Sequence, residues 1–180
     1  MQLRLNLIEE SKKRLRYMEF IRLQNDREQI QEMSDMASDI VREHYDPIIG
    51  KEQNDYMIAL FQSPDSIRTQ LSEGANYFFV RDERNIGFLS FYLKGDILYL
   101  SKFYLYKAFR GKGYSKQMTA FLVKEARENG CNAIELNVNR SNPAIKAYEH
   151  LGFNKVREEK NDIGNGFVMD DFVYRLEVDM

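Results

Sequence analysis

Residues Asp96 to Glu125 read DILYLSKFYLYKAFRGKGYSKQMTAFLVKE, and no other stretch restricts the chain so tightly. An apolar strand runs into Arg110-Gly111-Lys112-Gly113-Tyr114-Ser115, and an amphipathic helix follows. A strand that empties through a glycine-rich turn into a helix start predicts an anion cradle. The first N–H groups of a helix lack intrahelical partners and point outward, and the helix dipole favours negative charge there. Between Ile97 and Lys124 stand six cationic side chains (Lys102, Lys107, Arg110, Lys112, Lys116, Lys124) and no acid. The spacing excludes two familiar cradles. A Walker loop needs four residues between its glycines and a Lys-Ser/Thr after them, whereas Gly111 and Gly113 are separated by one. A dinucleotide fingerprint needs a third glycine where Lys116 stands.

The rest of the chain sets the scale. Its 180 residues suit one α/β domain, assigned to 18–180, with 1–17 as an N-terminal extension. That extension lacks the continuous apolar region of a secretory signal. It reads as a loosely docked tail, a basic membrane-surface helix, or a segment upstream of a true start at Met18. A net charge of −2 argues against a general nucleic-acid binder. No run reaches transmembrane length, so no membrane partner is expected. The single cysteine, Cys131, excludes an internal disulfide and suits a reducing cytoplasm. With His44 and His150 far apart, no metal site is expected.

Periodicity predicts the elements in order. A short strand covers Glu19 to Leu23, and a helix runs from Asp26 to about Tyr45 with Asn25 as its cap. Pro47 and Gly50 then break the chain into a loop, 44–50. Helices follow over Gln53 to Phe61 and from Pro64 to Leu71, the latter capped by Ser63. Strands are expected over Asn76 to Val80 and Ile86 to Leu93, separated by a polar turn, Arg81 to Asn85. Ser115 to Asn129 is a helix stopped by Gly130, and Ala133 to Val138 is a strand parallel to the one before the glycine turn. Asn142-Pro143 opens a helix reaching His150. The chain ends in strands near Phe153 to Glu158 and Gly166 to Val178, joined by a polar loop, Lys160 to Asn165. The fold class is α/β (α+β): one mixed sheet with helices on both faces.

Two segments together carry a resemblance: Arg110-Gly-Lys-Gly-Tyr-Ser115, and Asn142-Pro-Ala-Ile-Lys-Ala-Tyr148-Glu-His-Leu-Gly-Phe153. They resemble the GCN5-related N-acetyltransferase (GNAT) family, whose phosphate signature is Arg/Gln-x-x-Gly-x-Gly/Ala. Arg110, Gly113 and Ser115 fall at its fixed places, with serine where the family has glycine or alanine. The helical first third and the Val168-Met-Asp-Asp171 segment look like the bacterial branch related to polyamine acetyltransferases.

The resemblance implies a mostly antiparallel sheet with one splayed parallel pair, and acetyl-coenzyme A as the acetyl donor. Main-chain N–H groups from Gly111, Lys112, Gly113, Tyr114, Ser115 and Lys116 would hold the pyrophosphate, with Arg110, Lys112 or Lys116 adding charge. The backbone of Phe103, Tyr104 and Leu105 would pair with the pantetheine amides, and an N–H near Leu105 would serve as oxyanion donor. Tyr148 matches the family's general acid. Asn142 is a cofactor contact, although the family places this asparagine seven residues before the tyrosine rather than six, so Ser141 or Asn139 are alternatives. The base stays open among Asp170, Asp171, Glu43, Asp46 and Asp55, with His44 a further candidate. Cys131 has no activating neighbour in sequence, which favours direct transfer. The implied acceptor is a primary amine: a polyamine, an amino-acid-like metabolite or a protein amino group. A homodimer is common among relatives. The rival reading is a non-catalytic coenzyme A-binding module; retention of Tyr148 favours the enzyme.

Overall fold

The computed structural model describes residues 18–179, so the readings offered for 1–17 lie outside the described residues. The strands are β1 (Glu19–Arg22), β2 (Asn76–Asp82), β3 (Arg84–Lys94), β4 (Ile97–Leu105), β5 (Ala133–Asn139), β6 (Asn154–Gly164) and β7 (Phe167–Glu177). The helices are α1 (Arg27–Ile49), α2 (Lys51–Phe61), α3 (Pro64–Ser72), α4 (Tyr114–Glu128) and α5 (Ile145–His150). The strands form one sheet in the order β1-β2-β3-β4-β5-β7-β6.

Both faces of the sheet are covered, which explains the unbroken apolar runs of its central strands. On β2, Tyr77 and Phe79 pack with Ile30, Met33, Ala37 and Ile40 of α1. The alternate residues Phe78 and Val80 join Met118, Leu122 and Ala126 of α4 in the second core. Successive strand side chains thus feed two separate cores.

All neighbouring strands run antiparallel except β4 and β5. That parallel pair is short: Ile97↔Ala133, Leu98↔Ile134 and Tyr99↔Glu135. Beyond Tyr99, β4 stays with β3 as far as Leu105, while β5 stays with β7 as far as Asn139. A slot therefore opens between them. The register of β4 against β3 also shifts between Ser90 and Phe91, so that Ser101 is the extra residue of a bulge.

The bulge corrects one element of the charge argument. Lys102 does not contribute to an anion site. It is buried against the α1 side, where its ammonium donates to Phe61 O (2.8 Å), Gln62 Oε1 (2.9 Å) and Tyr77 Oη. Burial pushes its pKa down to about 7. Lys124 is likewise remote from the turn and pairs with Glu128 at 3.4 Å.

Other boundaries differ from the sequence reading. Asp26, not Asn25, caps α1, with Oδ1 accepting from Glu28 N and Gln29 N. The expected loop 44–50 is helical through Ile49, with Pro47 inside the last turns. Buried Asn54 of α2 donates to Val41 O (3.2 Å) and Asp46 Oδ1 (2.7 Å), and Gly50 N bonds Asp46 O. These contacts hold the helix end that proline alone would loosen. The polar turns expected at 81–85 and 160–165 are short hairpins. In the second, Asn165 (φ 54°) and Gly166 (φ 77°) make a two-residue turn with both φ positive.

Gly87 on β3 leaves no room for a side chain against β4. A Cβ there would lie 2.2 Å from Tyr104 O and 3.0 Å from Leu105 Cα, both backbone atoms of β4. Gly87→Ala is therefore expected to destabilise the fold by about 1–3 kcal/mol, read as a lower urea midpoint at unchanged slope.

Candidate active site

The slot between β4 and β5 broadens into a cleft of about 310 Å³. Phe103, Tyr104 and Leu105 form one wall, Arg110, Gly111, Tyr114 and Ser115 the turn, and Asn142 and Tyr148 the far side. The structure thus gathers nine of the twelve residues singled out from sequence. Lys112, Gly113 and Lys116 stand exposed on the same turn without lining the cleft.

The turn has the geometry of an anion cradle. Gly111 (φ 71°) and Gly113 (φ 83°) adopt left-handed backbone, and Gly113 stands at the start of α4, where no side chain caps the free N–H groups. The Tyr114 side chain turns inward to bond Asp82, tying the helix start to the end of β2. Lys112 Nζ lies over the Phe109 ring at 5.5 Å.

Ladder alternation fixes which way the β4 backbone faces. Tyr106 N donates to Ile86 O (3.0 Å), so the N–H groups of Phe103 and Leu105 turn away from β3 and toward the slot. The Leu105 carbonyl also faces away, and there it accepts from Arg110 Nε at 3.0 Å. Two of the three Arg110 nitrogens are occupied, because Nη1 meets His44 Nδ1 at 3.2 Å. Arg110 therefore braces the turn against β4 and α1, rather than reaching freely outward.

Sequence reasoning weighed His44 as a base and passed over Tyr45; both line the cleft because α1 continues past the expected break. Arginine can only donate, so His44 Nδ1 accepts and Nε2–H donates to Asn142 Oδ1 at 2.9 Å. Burial lowers the His44 pKa, and the Asn142 bond works against that shift. With both nitrogens engaged, His44 is a neutral connector, not a base. Asn142 is buried, accepts also from Ala144 N (2.9 Å) and donates to Tyr45 Oη (3.2 Å). It thus folds the turn ahead of α5, which begins at Ile145 rather than Pro143.

Tyr148 is half-buried on α5, its ring 6.0 Å from Phe103 and 5.8 Å from Phe153. Burial raises the pKa of its phenol, and nearby Tyr45 adds to the shift, so the group is neutral at pH 7.

A second, smaller cavity of about 110 Å³ lies on the α1–α2 side of the splayed strands. Tyr45 and Tyr104 line both cavities and form the partition between them. Met57, Phe61 and Met169 give the second cavity an apolar wall, whereas Asn137, Asn139 and Asp171 give it a polar floor. The carboxylates considered from sequence separate clearly here. Asp55 pairs with Arg42 and Lys51, Asp170 with Arg140 (2.7 Å), and Asp46 bonds Asn54, while Glu43 is exposed. Asp171 is buried at 3% exposure and has no cationic partner among the described residues. Burial pushes its pKa up to about 6, opposed by a hydrogen bond from Asn137 and reinforced by Asp170 and Glu159.

Cys131 is buried and its thiol pKa is raised by burial, as in an unactivated cysteine. His150 is exposed on α5 and bonds Lys146 O. Among the described residues no helix is long and apolar enough to cross a membrane, and no group of three or more ligating side chains forms a metal site.

Comparison with known proteins follows the same lines. A family model described as Acetyltransferase (GNAT) family matches residues 35–153. The chain is similar in structure to the PaiA N-acetyltransferase of Thermoplasma acidophilum, solved with coenzyme A: TM-score 0.72, 17% identity, covering 89% of this chain and 99% of that one. It is also similar to the ribosomal-protein-S18-alanine N-acetyltransferase of Escherichia coli, with TM-score 0.62, 16% identity and coverage of 91% and 96%. YncA from Salmonella typhimurium, solved with its cofactor acetyl-CoA, gives TM-score 0.60 and 17% identity, covering 91% and 94%. Identities this low establish a shared fold. No curated protein matches the sequence.

Proposed function

The chain belongs to the acetyltransferase (GNAT) family, and on that footing we propose that it moves an acetyl group from acetyl-coenzyme A directly to a primary amine. One observation carries the reading: a slot between splayed strands meets an uncapped, left-handed glycine turn at one end and a neutral tyrosine at the other. The N–H groups from Gly111 to Lys116 receive the donor's pyrophosphate. The slot-facing backbone of Phe103 to Leu105 pairs with the pantetheine amides. The Leu105 N–H is the donor to the thioester oxygen, whose negative charge grows as the amine attacks. Tyr148 gives its proton to the departing thiolate. The buried, unactivated Cys131 supports attack by the amine itself without an acyl-enzyme.

A small molecule is the favoured acceptor, a polyamine or an amino-acid-like metabolite, with a protein amino group as the alternative. The narrow cavity behind Tyr45 and Tyr104 supports this, since it suits one slender chain ending, although Met57, Phe61, Gln62, Ser101, Tyr104 and Met169 also line a larger adjoining pocket of about 780 Å³. Residues 18–180 would form one cytoplasmic acetyltransferase domain, the unpaired reduced cysteine being suited to that compartment. The test is acetyl-coenzyme A thiol release against putrescine, spermidine, L-lysine methyl ester and a lysine-containing peptide. Turnover on one of them supports the reading. Coenzyme A binding without turnover on any would favour a binding module.

A further inference from the structure

An amine at neutral pH is mostly an ammonium ion with no lone pair to attack with. A transferase acting on it needs a group on the acceptor side that attracts the cation and removes one proton. That side is the cavity behind the Tyr45–Tyr104 partition. Among the described residues, one carboxylate lines it, that of Asp171. We propose that Asp171 is the base of the transfer: its carboxylate binds the acceptor's ammonium group and takes the proton that must leave before nitrogen attacks. This rests on the amine-acetylation reading above.

The position of Asp171 follows from the sheet. It lies opposite Asn139 of β5 on one side and Glu159 of β6 on the other. On β5, Leu136 and Val138 belong to the α4-side core, whereas Asn137 and Asn139 line the cavity on the other face. Asp171, paired with Asn139, shares that face. Tyr45 and Tyr104 line both this cavity and the cofactor cleft. An amine drawn to Asp171 is therefore held beside the partition through which it must meet the thioester.

The surrounding charges leave the carboxylate available. Arg140 and Lys160 go to Asp170, and Arg157 goes to Glu159 at 2.8 Å. Facing Asp171 are Tyr45 from α1, Tyr99 and Tyr104 from β4, Glu159 from β6 and Asp170 on its own strand. None of these is a cation. The Asn137 carboxamide, also bonded to Tyr99 Oη (2.9 Å) and Glu159 Oε2 (2.9 Å), supplies a neutral hydrogen bond. The cations nearest the cavity are already engaged, Lys102 with Phe61 O, Gln62 Oε1 and Tyr77 Oη, and Arg157 with Glu135 and Glu159, which leaves Asp171 open to an incoming ammonium. With a pKa near 6 the group is largely ionised at pH 7 yet basic enough to accept a proton.

The proton balance closes without another reagent. R–NH3⁺ gives one proton to Asp171, and the freed lone pair forms the C–N bond. The C–S bond breaks with its electron pair on sulfur, and Tyr148 protonates that thiolate. The second proton shed by nitrogen restores the Tyr148 phenol, and Asp171 releases its own to solvent.

The deciding experiment is the pH profile of kcat/KM for whichever amine of the panel turns over, in wild type and in Asp171→Asn. Wild type is expected to lose activity below about pH 6 with unit slope. In Asp171→Asn that acid limb disappears, the rate at pH 7.5 falls by about 10²-fold or more, and the KM for acetyl-coenzyme A stays within about twofold. Asp171→Glu, which keeps the carboxyl but moves it by one methylene, retains an acid limb at reduced rate. A variant that keeps both rate and limb overturns the proposal. If wild type acetylates no amine tested, the functional reading fails on its own terms, and a second readout still decides the role of Asp171. In protein labelled with ¹³C at the aspartate carboxyls, with coenzyme A present, n-butylammonium chloride should move the resonance that is missing from Asp171→Asn. A resonance that does not move overturns the proposal.

Discussion

Tyr148→Phe is expected to reduce turnover by about a hundredfold or more while coenzyme A binds with near-normal affinity. The substitution removes one oxygen and keeps the ring, so contacts with Phe103 and Phe153 survive. What disappears is a proton donor at the mouth of the slot. A thiolate forced to leave unprotonated loses a hydrogen bond that forms as charge develops on sulfur, and a hundredfold corresponds to about 2.7 kcal/mol of barrier. Because the bond is made only in the transition state, kcat and kcat/KM should fall together, with little change in KM. Single-turnover kinetics together with calorimetric binding of coenzyme A check both halves. Unchanged turnover would remove Tyr148 as the acid.

Gly113→Val is expected to act at the opposite end of the cleft, on affinity rather than chemistry. A Cβ at Gly113 would meet no protein atom within 4 Å, so the fold does not crowd the position. Its φ of 83° is another matter. Left-handed backbone costs an L-residue about 1–2 kcal/mol, more when β-branched, and relief of that strain would swing the N–H groups of the turn. The added methyls would also stand where a phosphate approaches the helix start. Coenzyme A affinity should drop by about a hundredfold or more, with a melting temperature only a few degrees lower. Equilibrium binding and thermal melts on the same preparation separate the two effects. Affinity that survives would make the turn purely structural.

Much of this site was legible because its signals are local. A glycine turn at a helix start, and a tyrosine shortly before Gly152-Phe153, are spacings a linear reading can hold. Even the short parallel pair followed from the strand–helix–strand order. The misses share a cause: each was settled by residues distant in sequence. Pro47 should have broken α1, but Asn54 on the next helix secures its end, and this continuation brings His44 and Tyr45 to the cleft. Asn142, expected from sequence as a cofactor contact, does line the cleft, but its bonds to His44 and Tyr45 lie beyond any linear spacing. Asp171 could not be picked from five acids, because what distinguishes it is where the cations of neighbouring strands point. One miss was avoidable. Asn165-Gly166 is a strong hairpin signal by itself, and a reading that ends the loop at Asn165 and starts the strand at Gly166 divides it.

The extra residue in β4 has a consequence for how this chain can change over evolutionary time. Before Ser101, even-numbered side chains such as Leu98 and Leu100 serve the α4-side core; after it, the odd-numbered Phe103 and Leu105 do. The strand therefore carries two parities, joined at a single position. Loss or gain of one residue between Tyr99 and Phe103 would exchange Phe103 for Tyr104 across the sheet and turn the slot-facing amides inward toward β3. A point substitution there leaves this parity intact; an indel reverses it. The length of this strand, more than its composition, is what inheritance must preserve for the slot to persist.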